Sequence, residues 1–230
     1  MSEFEKDYAL PVSSVRKVHV SDEDRVNISR LAAKLLKEDR LLSSTAYFGT
    51  DVRTGTGAAP AILIGDKSEI RLLPPAGQDT LEYRIALLAD QDDLVVLACD
   101  RNREFEDYLA DLLGLRKIDV LQAGQAAAGP SLPTAKRCME DRELFATLCD
   151  HVLTNGGTTL VPHISTGTVW MLAKRLNEAT GKPVRVAAPP PNLAARFNDK
   201  IWFSDVAVSL FGKTAVPTKF SAFGPAALTG

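Results

Sequence analysis

Two spacings of apolar residues alternate along this chain, and the changes between them mark the predicted elements. Ser21 followed by Asp22, Glu23 and Asp24 starts a helix, because a hydroxyl caps free N–H groups and acidic side chains suit the positive end of the helix dipole. Val26, Ile28, Leu31, Ala32, Leu35 and Leu36 continue an apolar face, which predicts a helix over 22–39. Residues 1–20 mix charged with scattered apolar positions and read as a loosely attached arm. Leu41–Thr50 reads as a strand, and the segment GTDVRTGTGAAP after it reads as a mobile surface loop. The apolar runs 61–64 and 70–73 flank GDKSE and predict a hairpin closed by Pro74-Pro75.

From Asp79 the pattern turns to alternating helices and strands. Leu81, Ile85, Leu88 and Ala89 mark a helix, and residues 93–98 (DLVVLA) form a buried strand. Asn102 caps the next helix, with Phe105, Leu109, Leu112 and Leu113 facing the core and Gly114 at its end. A strand at 118–121 completes a βαβ signature, which implies a right-handed crossover. QAGQAAAGPSLPT, rich in small residues, reads as a flexible loop, and a helical region starting at Thr134 or Ala135, kinked or split near Met139-Glu140, runs to His151.

The stretch LVPHISTGTVWMLAKRLNEATG, residues 160–181, organises the rest. Val161 closes an apolar strand, Pro162 stops further pairing, and Ser165 or Thr166 caps a helix starting at Thr168. Val169, Leu172, Ala173 and Leu176 give that helix an inward face, and Gly181 ends it. Residues 184–186 form a strand, 187–191 a rigid extended linker, and Asn192–Phe211 a helix that Asn198 can cap or break.

The fold class expected is α/β: a Rossmann-like three-layer α/β/α arrangement on a mostly parallel sheet, plus an N-terminal helix and β-hairpin. Composition changes little. The 230 residues are 45% hydrophobic and 24% charged, as in ordinary globular proteins, with room for a proper core. A formal net charge of −2 with mixed signs leaves no basic footprint for nucleic acid or an anionic membrane. The N-terminus lacks a signal-peptide pattern and no apolar run reaches spanning length, so a cytoplasmic location is expected. Cys99, Cys138 and Cys149 are too irregularly spaced for a disulfide framework or a zinc site and read as buried free thiols.

Open parallel sheets bind ligands beyond the carboxyl ends of their strands. This rule selects His163, Ser165 and Thr166 after one strand, and Asp100 and Arg101 after another, as substrate-binding candidates. Each has an alternative. His163 either meets a substrate or bonds its own loop, and Ser165 and Thr166 either present hydroxyls to a carboxylate or phosphate or simply cap the helix. Asp100 suits a ribose or amine and Arg101 a carboxylate, unless they serve capping and surface ion pairing. Gly55 and Gly57 precede a strand rather than open a helix, so they do not form a dinucleotide fingerprint. Gly212-Lys213-Thr214 ends like a phosphate-binding loop, but the glycine required upstream is Ala207, inside a helix. No catalytic, cofactor-binding or metal-ligating residue is assigned.

The succession Asn198-Asp199-Lys200, Phe203, Val216-Pro217 resembles the junction that opens the ATP-binding part of ATP-grasp enzymes. With LVPHISTGTVWMLAKRL in its α/β setting, residues 90–220 are similar to the pre-ATP-grasp domain of peptide-ligase-like members of that superfamily. The resemblance implies an organisation of arm, helix and hairpin over 1–78, a pre-ATP-grasp domain over 79–215, and over 216–230 the start of a link to an ATP-grasp domain. It implies a parent that uses ATP and magnesium to join a carboxylate to an amine. The partners implied are that carboxylate or amine substrate and the ATP-grasp domain of the parent chain, with a homodimer through an open apolar face near the C-terminus. The residues up to Gly230 contain no glycine-rich cover hairpin, ATP-clasping lysine pair or magnesium-holding cluster, so the chain alone is expected to be inactive. The alternatives are a stand-alone α/β binding or regulatory module and an independent transferase.

Overall fold

The computed structural model describes residues 21–39, 46–66, 82–114, 118–124 and 132–212. Two compact units make up the chain: Arg40–Phe203, which carries the sheet, and Met1–Asp39 with Ser204–Gly230. In the second unit, helix α1 (Asp22–Asp39) begins as expected. The Ser21 hydroxyl accepts from the Asp24 N–H (3.1 Å), and the Asp24 carboxylate accepts from the Ser21 hydroxyl in return (2.7 Å).

In chain order the sheet unit contains β1 (Val52–Thr54), β2 (Ala61–Gly65), a 3-10 helix (Tyr83–Leu88), β3 (Leu94–Leu97), α2 (Arg103–Leu113), β4 (Asp119–Gln122), α3 (Thr134–Glu140), α4 (Arg142–Thr154), β5 (Thr158–Pro162), α5 (Gly167–Thr180), β6 (Val184–Val186) and α6 (Pro191–Asn198). Helix α7 (Lys200–Phe211) follows and runs into the second unit. The six strands lie in the order β1-β6-β5-β2-β3-β4, and every pairing is parallel. Strand order reverses between β2 and β5, because the chain runs outward through β3 and β4 before returning to β2's other side.

Period-two alternation divides the core between two faces. Ile62, Ile64, Leu94, Val96 and Leu160 bury one side of the sheet against Cys138 of α3, Leu148 and Val152 of α4, and Trp170, Leu172 and Leu176 of α5. Leu63, Val95, Leu97 and Val120 bury the other side against Tyr83, Ile85 and Ala86 of the 3-10 helix and Leu109 of α2. Central parallel strands are covered on both faces, which is why AILIG and LVVL read as unbroken apolar runs.

Several expectations change. Ala61–Gly65 is the central strand of the sheet, paired parallel with β3 and β5, rather than one arm of a peripheral hairpin. An apolar run without alternation is buried on both sides, and the proposed second arm at 70–73 lies outside the described residues, as do Leu41–Thr45, Leu81, the centre of the loop at 125–131 and the link from 216. Ala46–Phe48 is a single 3-10 turn, with Phe48 packed on Trp170 at 5.5 Å between ring centroids, not part of a strand. The segment read as a mobile loop supplies edge strand β1. It is tied down further by the Gly55 N–H on the Val186 carbonyl (2.8 Å) and the Gly57 N–H on the Thr159 hydroxyl (2.9 Å). Leu112 stands 62% exposed, and Phe105 and Leu109 make the contact of α2 with the core on this face.

Both long helical predictions break one residue beyond an amide or carboxyl side chain named or adjoined in the sequence. Asp141 ends α3 and caps α4, accepting from the N–H groups of Glu143 and Leu144 at 3.0 Å. Asp199 does the same between α6 and α7, accepting from Ile201 (3.0 Å) and Trp202 (3.1 Å). Helix α5 ends where expected, on Gly181 with φ 65°, a conformation glycine adopts without Cβ cost. Among the described residues no helix is long and apolar enough to cross a membrane.

Candidate functional site

Because all strands are parallel, their carboxyl ends share one edge, and this edge holds all five candidate residues. At the strand-order reversal, Gly65 ends β2 so tightly that a Cβ there would lie 2.7 Å from Leu97 Cδ2 and 3.1 Å from the Glu82 carbonyl oxygen. The next residue, buried Asp66, accepts a hydrogen bond from the Thr134 N–H (2.6 Å), while the Thr134 hydroxyl donates to the Gly65 carbonyl (2.9 Å). Helix α3 is therefore docked onto the end of β2 by its own first residue. The reversal point is occupied by the protein's own polar groups.

The end of β3 is also closed. Glu82 accepts from the N–H groups of Ala98 (3.0 Å) and Cys99 (3.1 Å), and Asn102 caps α2 through the Phe105 N–H (3.0 Å). Arg101 donates through Nε to Glu106 Oε1 (3.0 Å) and through a second nitrogen to Oε2. The Tyr83 hydroxyl accepts from the Asn102 N–H and donates to Glu106 (3.1 Å). Burial would raise the Glu106 carboxyl, but the hydrogen bond and charge of Arg101 prevail and hold it below the ordinary carboxylate value. The Arg101 guanidinium rises correspondingly through its bond to Glu106. Burial pushes the Tyr83 hydroxyl up to about 12, against the Asn102 N–H, which lowers it. Asp100, exposed, accepts from the Gln122 side-chain amide (2.7 Å).

The end of β5 is different. Pro162 still pairs with Ile64 in the ladder, one residue further than expected, and the His163 N–H donates to the Ile64 carbonyl (3.1 Å). A cleft of about 500 Å³ opens beyond, between the β5–α5 loop (Pro162, His163, Ile164, Ser165) and the segment after β6. That second wall comprises Ala187, Ala188 and Pro189, continued by Ala194, Phe197 and Asn198 of α6. Two hydroxyls hold the wall in place. Thr54 of β1 donates to the Ala188 carbonyl (2.6 Å), and Ser165 donates to the Pro189 carbonyl (2.6 Å) while accepting from the indole N–H of buried Trp170 (3.0 Å).

His163 and Ser165 thus come together at the cleft. Thr166 does not line it: its hydroxyl caps α5 through the Val169 N–H (3.4 Å) and bonds the Thr168 hydroxyl (2.8 Å). Asp100 and Arg101 sit at the end of β3, with β2 between them and β5, and do not line it either. Pro189, Phe197 and Asn198 are not among the strand-end candidates of the sequence, although a parallel strand at 184–186 brings whatever follows it to the same edge. Nor is Asp66, which reads there as part of a hairpin turn.

The comparisons with known proteins bear on this arrangement. Residues 82–178, from the 3-10 helix through most of α5, match the model of the Pre ATP-grasp domain family. This stretch is a pre-ATP-grasp domain. No curated protein matches the chain. The pre-ATP-grasp match includes the β5–α5 wall of the cleft and stops before the β6–α6 wall. Among the described residues, no three His, Cys, Asp or Glu side chains are gathered as metal ligands would be. Cys138 is raised to about 12 by burial, which suits a packing thiol and not a nucleophile.

Proposed function

We propose that this chain is the substrate-side region of an ATP-dependent ligase that joins a carboxylate to an amine, and that the β5–β6 cleft receives part of one substrate. The observation carrying the reading is that the family match and the open end of β5 coincide in the loop 162–165. The remaining strand ends of the inner sheet are filled by Asp66–Thr134 and by the Arg101–Glu106–Tyr83 network. Its role is binding and orientation: holding a reactant in one pose removes rotational freedom before the chemical step. ATP and magnesium supply the activation of the carboxylate and belong to the ATP-grasp domain of the parent.

Phe197, Ile201 and Phe203 are 45%, 43% and 47% exposed, with the Phe197 and Phe203 rings 6.1 Å apart. This apolar group at the end of the sheet unit supports docking of the ATP-grasp domain next to the cleft. A cytoplasmic setting, where ATP is available, fits the same reading. The test is to express the natural reading frame that contains this chain and to measure ADP release with panels of amino-acid carboxylates and amines. Release that needs both reactants is expected. A frame without ATP-clasping lysines and a magnesium-holding cluster, giving no ADP with any pair, overturns the proposal.

A further inference from the structure

Among the described residues, the cleft is lined by no Lys, Arg, Asp or Glu side chain. An ionised group entering it meets no Lys, Arg, Asp or Glu to replace the water it gives up, a cost that falls on binding. Ile164, Ala188, Pro189, Ala194 and the Phe197 ring make up most of the walls and contribute through contact and water exclusion. Of the polar side chains beside them, Ser165 is bonded to Pro189 and Trp170 and the Asn198 amide donates to the Ala194 carbonyl (3.0 Å), while His163 completes the lining. The β6–α6 wall is also poor in donors, because Pro189, Pro190 and Pro191 have no N–H and the Ala187 N–H is spent on the Leu160 carbonyl (2.8 Å). Its carbonyls at Ala188 and Pro189 already accept from Thr54 and Ser165. A volume of about 500 Å³ lies within the usual range of small-molecule sites.

We infer that the cleft takes an uncharged, mainly apolar group, namely an aliphatic or aromatic side chain of an amino-acid or peptide substrate, and leaves that substrate's reacting carboxylate or amine outside. The inference rests on the proposed substrate role of the cleft and names the chemistry it selects. The ion pair at Arg101 is not part of this recognition.

The test uses two-dimensional NMR of the whole chain, whose only indole N–H groups are those of Trp170 and Trp202. Trp170 reports on the cleft through its bond to Ser165, and Trp202→Phe assigns the two signals. The probes are the N-acetyl amides of phenylalanine, leucine, glutamate and lysine. The phenylalanine and leucine amides should shift the Trp170 signal and bind about tenfold more tightly than the glutamate and lysine amides. Ala188→Trp should abolish binding, and Phe197→Ala, at a ring that is 45% exposed, should weaken the phenylalanine amide several-fold. If the charged amides bind equally well and Ala188→Trp still abolishes binding, the selectivity is wrong and the cleft reading survives. If no amide moves the Trp170 signal at millimolar concentration in a folded protein, both are wrong.

Discussion

The ends of β3 and β5 lie on the same edge of one sheet and carry similar polar residues, yet one is closed and the other open. The helix that follows each strand makes the difference. The first turn of α2 contains Glu104 and Glu106, and Glu106 draws in both Arg101 and Tyr83. The first turn of α5 contains no acidic residue, so Ser165 and Thr166 turn to backbone and indole partners; Ser165 ties the loop to the wall after β6 at the Pro189 carbonyl, and the cleft lies open between them. A charged residue at a strand end is therefore available to a ligand only when the next helix does not supply its partner.

Substitutions at the two ends should differ in size. The largest effect is expected from Trp170→Ala, which removes a fully buried ring packed on Phe48 and should cost about 3–5 kcal/mol in urea unfolding. A loss under about 1 kcal/mol would mean that the support under Ser165 is not a rigid part of the core. Ser165→Ala should cost about 1–3 kcal/mol, since it leaves the Trp170 indole N–H buried without its acceptor. It should also weaken binding of the phenylalanine amide, because the Pro189 wall loses its tie; unchanged affinity would separate Ser165 from cleft geometry.

At the end of β3 the effects should be smaller. Arg101→Ala should cost less than about 1 kcal/mol near neutral pH, as expected for a partly exposed pair. The pH dependence has a definite sign. Glu106 is lowered on folding, so its contribution is complete above its unfolded value near 4.5 and is lost as pH falls through the folded value. Wild type and Glu106→Gln should therefore converge in stability under acid, and a gap that widens below pH 4.5 would contradict this. Tyr83 is raised on folding to about 12, so its contribution is present below its unfolded value of 10 and fades as pH rises from there. The stability difference between wild type and Tyr83→Phe should accordingly shrink from pH 10 towards 12 in denaturant titrations.

Much of the sheet region could be read from periodicity. Residues 158–161 and 169–176 fell where predicted because an apolar run and a 3.6-residue spacing each have one good way to be buried. Ala61–Gly65 reads as a peripheral hairpin arm because nothing local distinguishes such an arm from a central parallel strand. Only its pairing with β3 and β5, both far along the chain, decides. The site divides in the same way. His163 and Ser165 could be selected from one strand end, whereas the Ala188–Pro189 wall depends on β6 lying beside β5 and on Thr54 reaching across from β1. The Arg101–Glu106 pair was within reach of the sequence, five positions apart around a helix start, but the contribution of Tyr83 required the fold.

The most direct measurement compares Ala188→Trp with Arg101→Ala in the natural reading frame, following ADP release that depends on both a carboxylate and an amine. Filling the β5–β6 cleft should abolish turnover or raise KM beyond reach, while breaking the ion pair at the end of β3 should leave kcat and KM within about twofold. Full activity of Ala188→Trp together with loss of activity in a folded Arg101→Ala protein would contradict the account and move the substrate to the other end of the sheet.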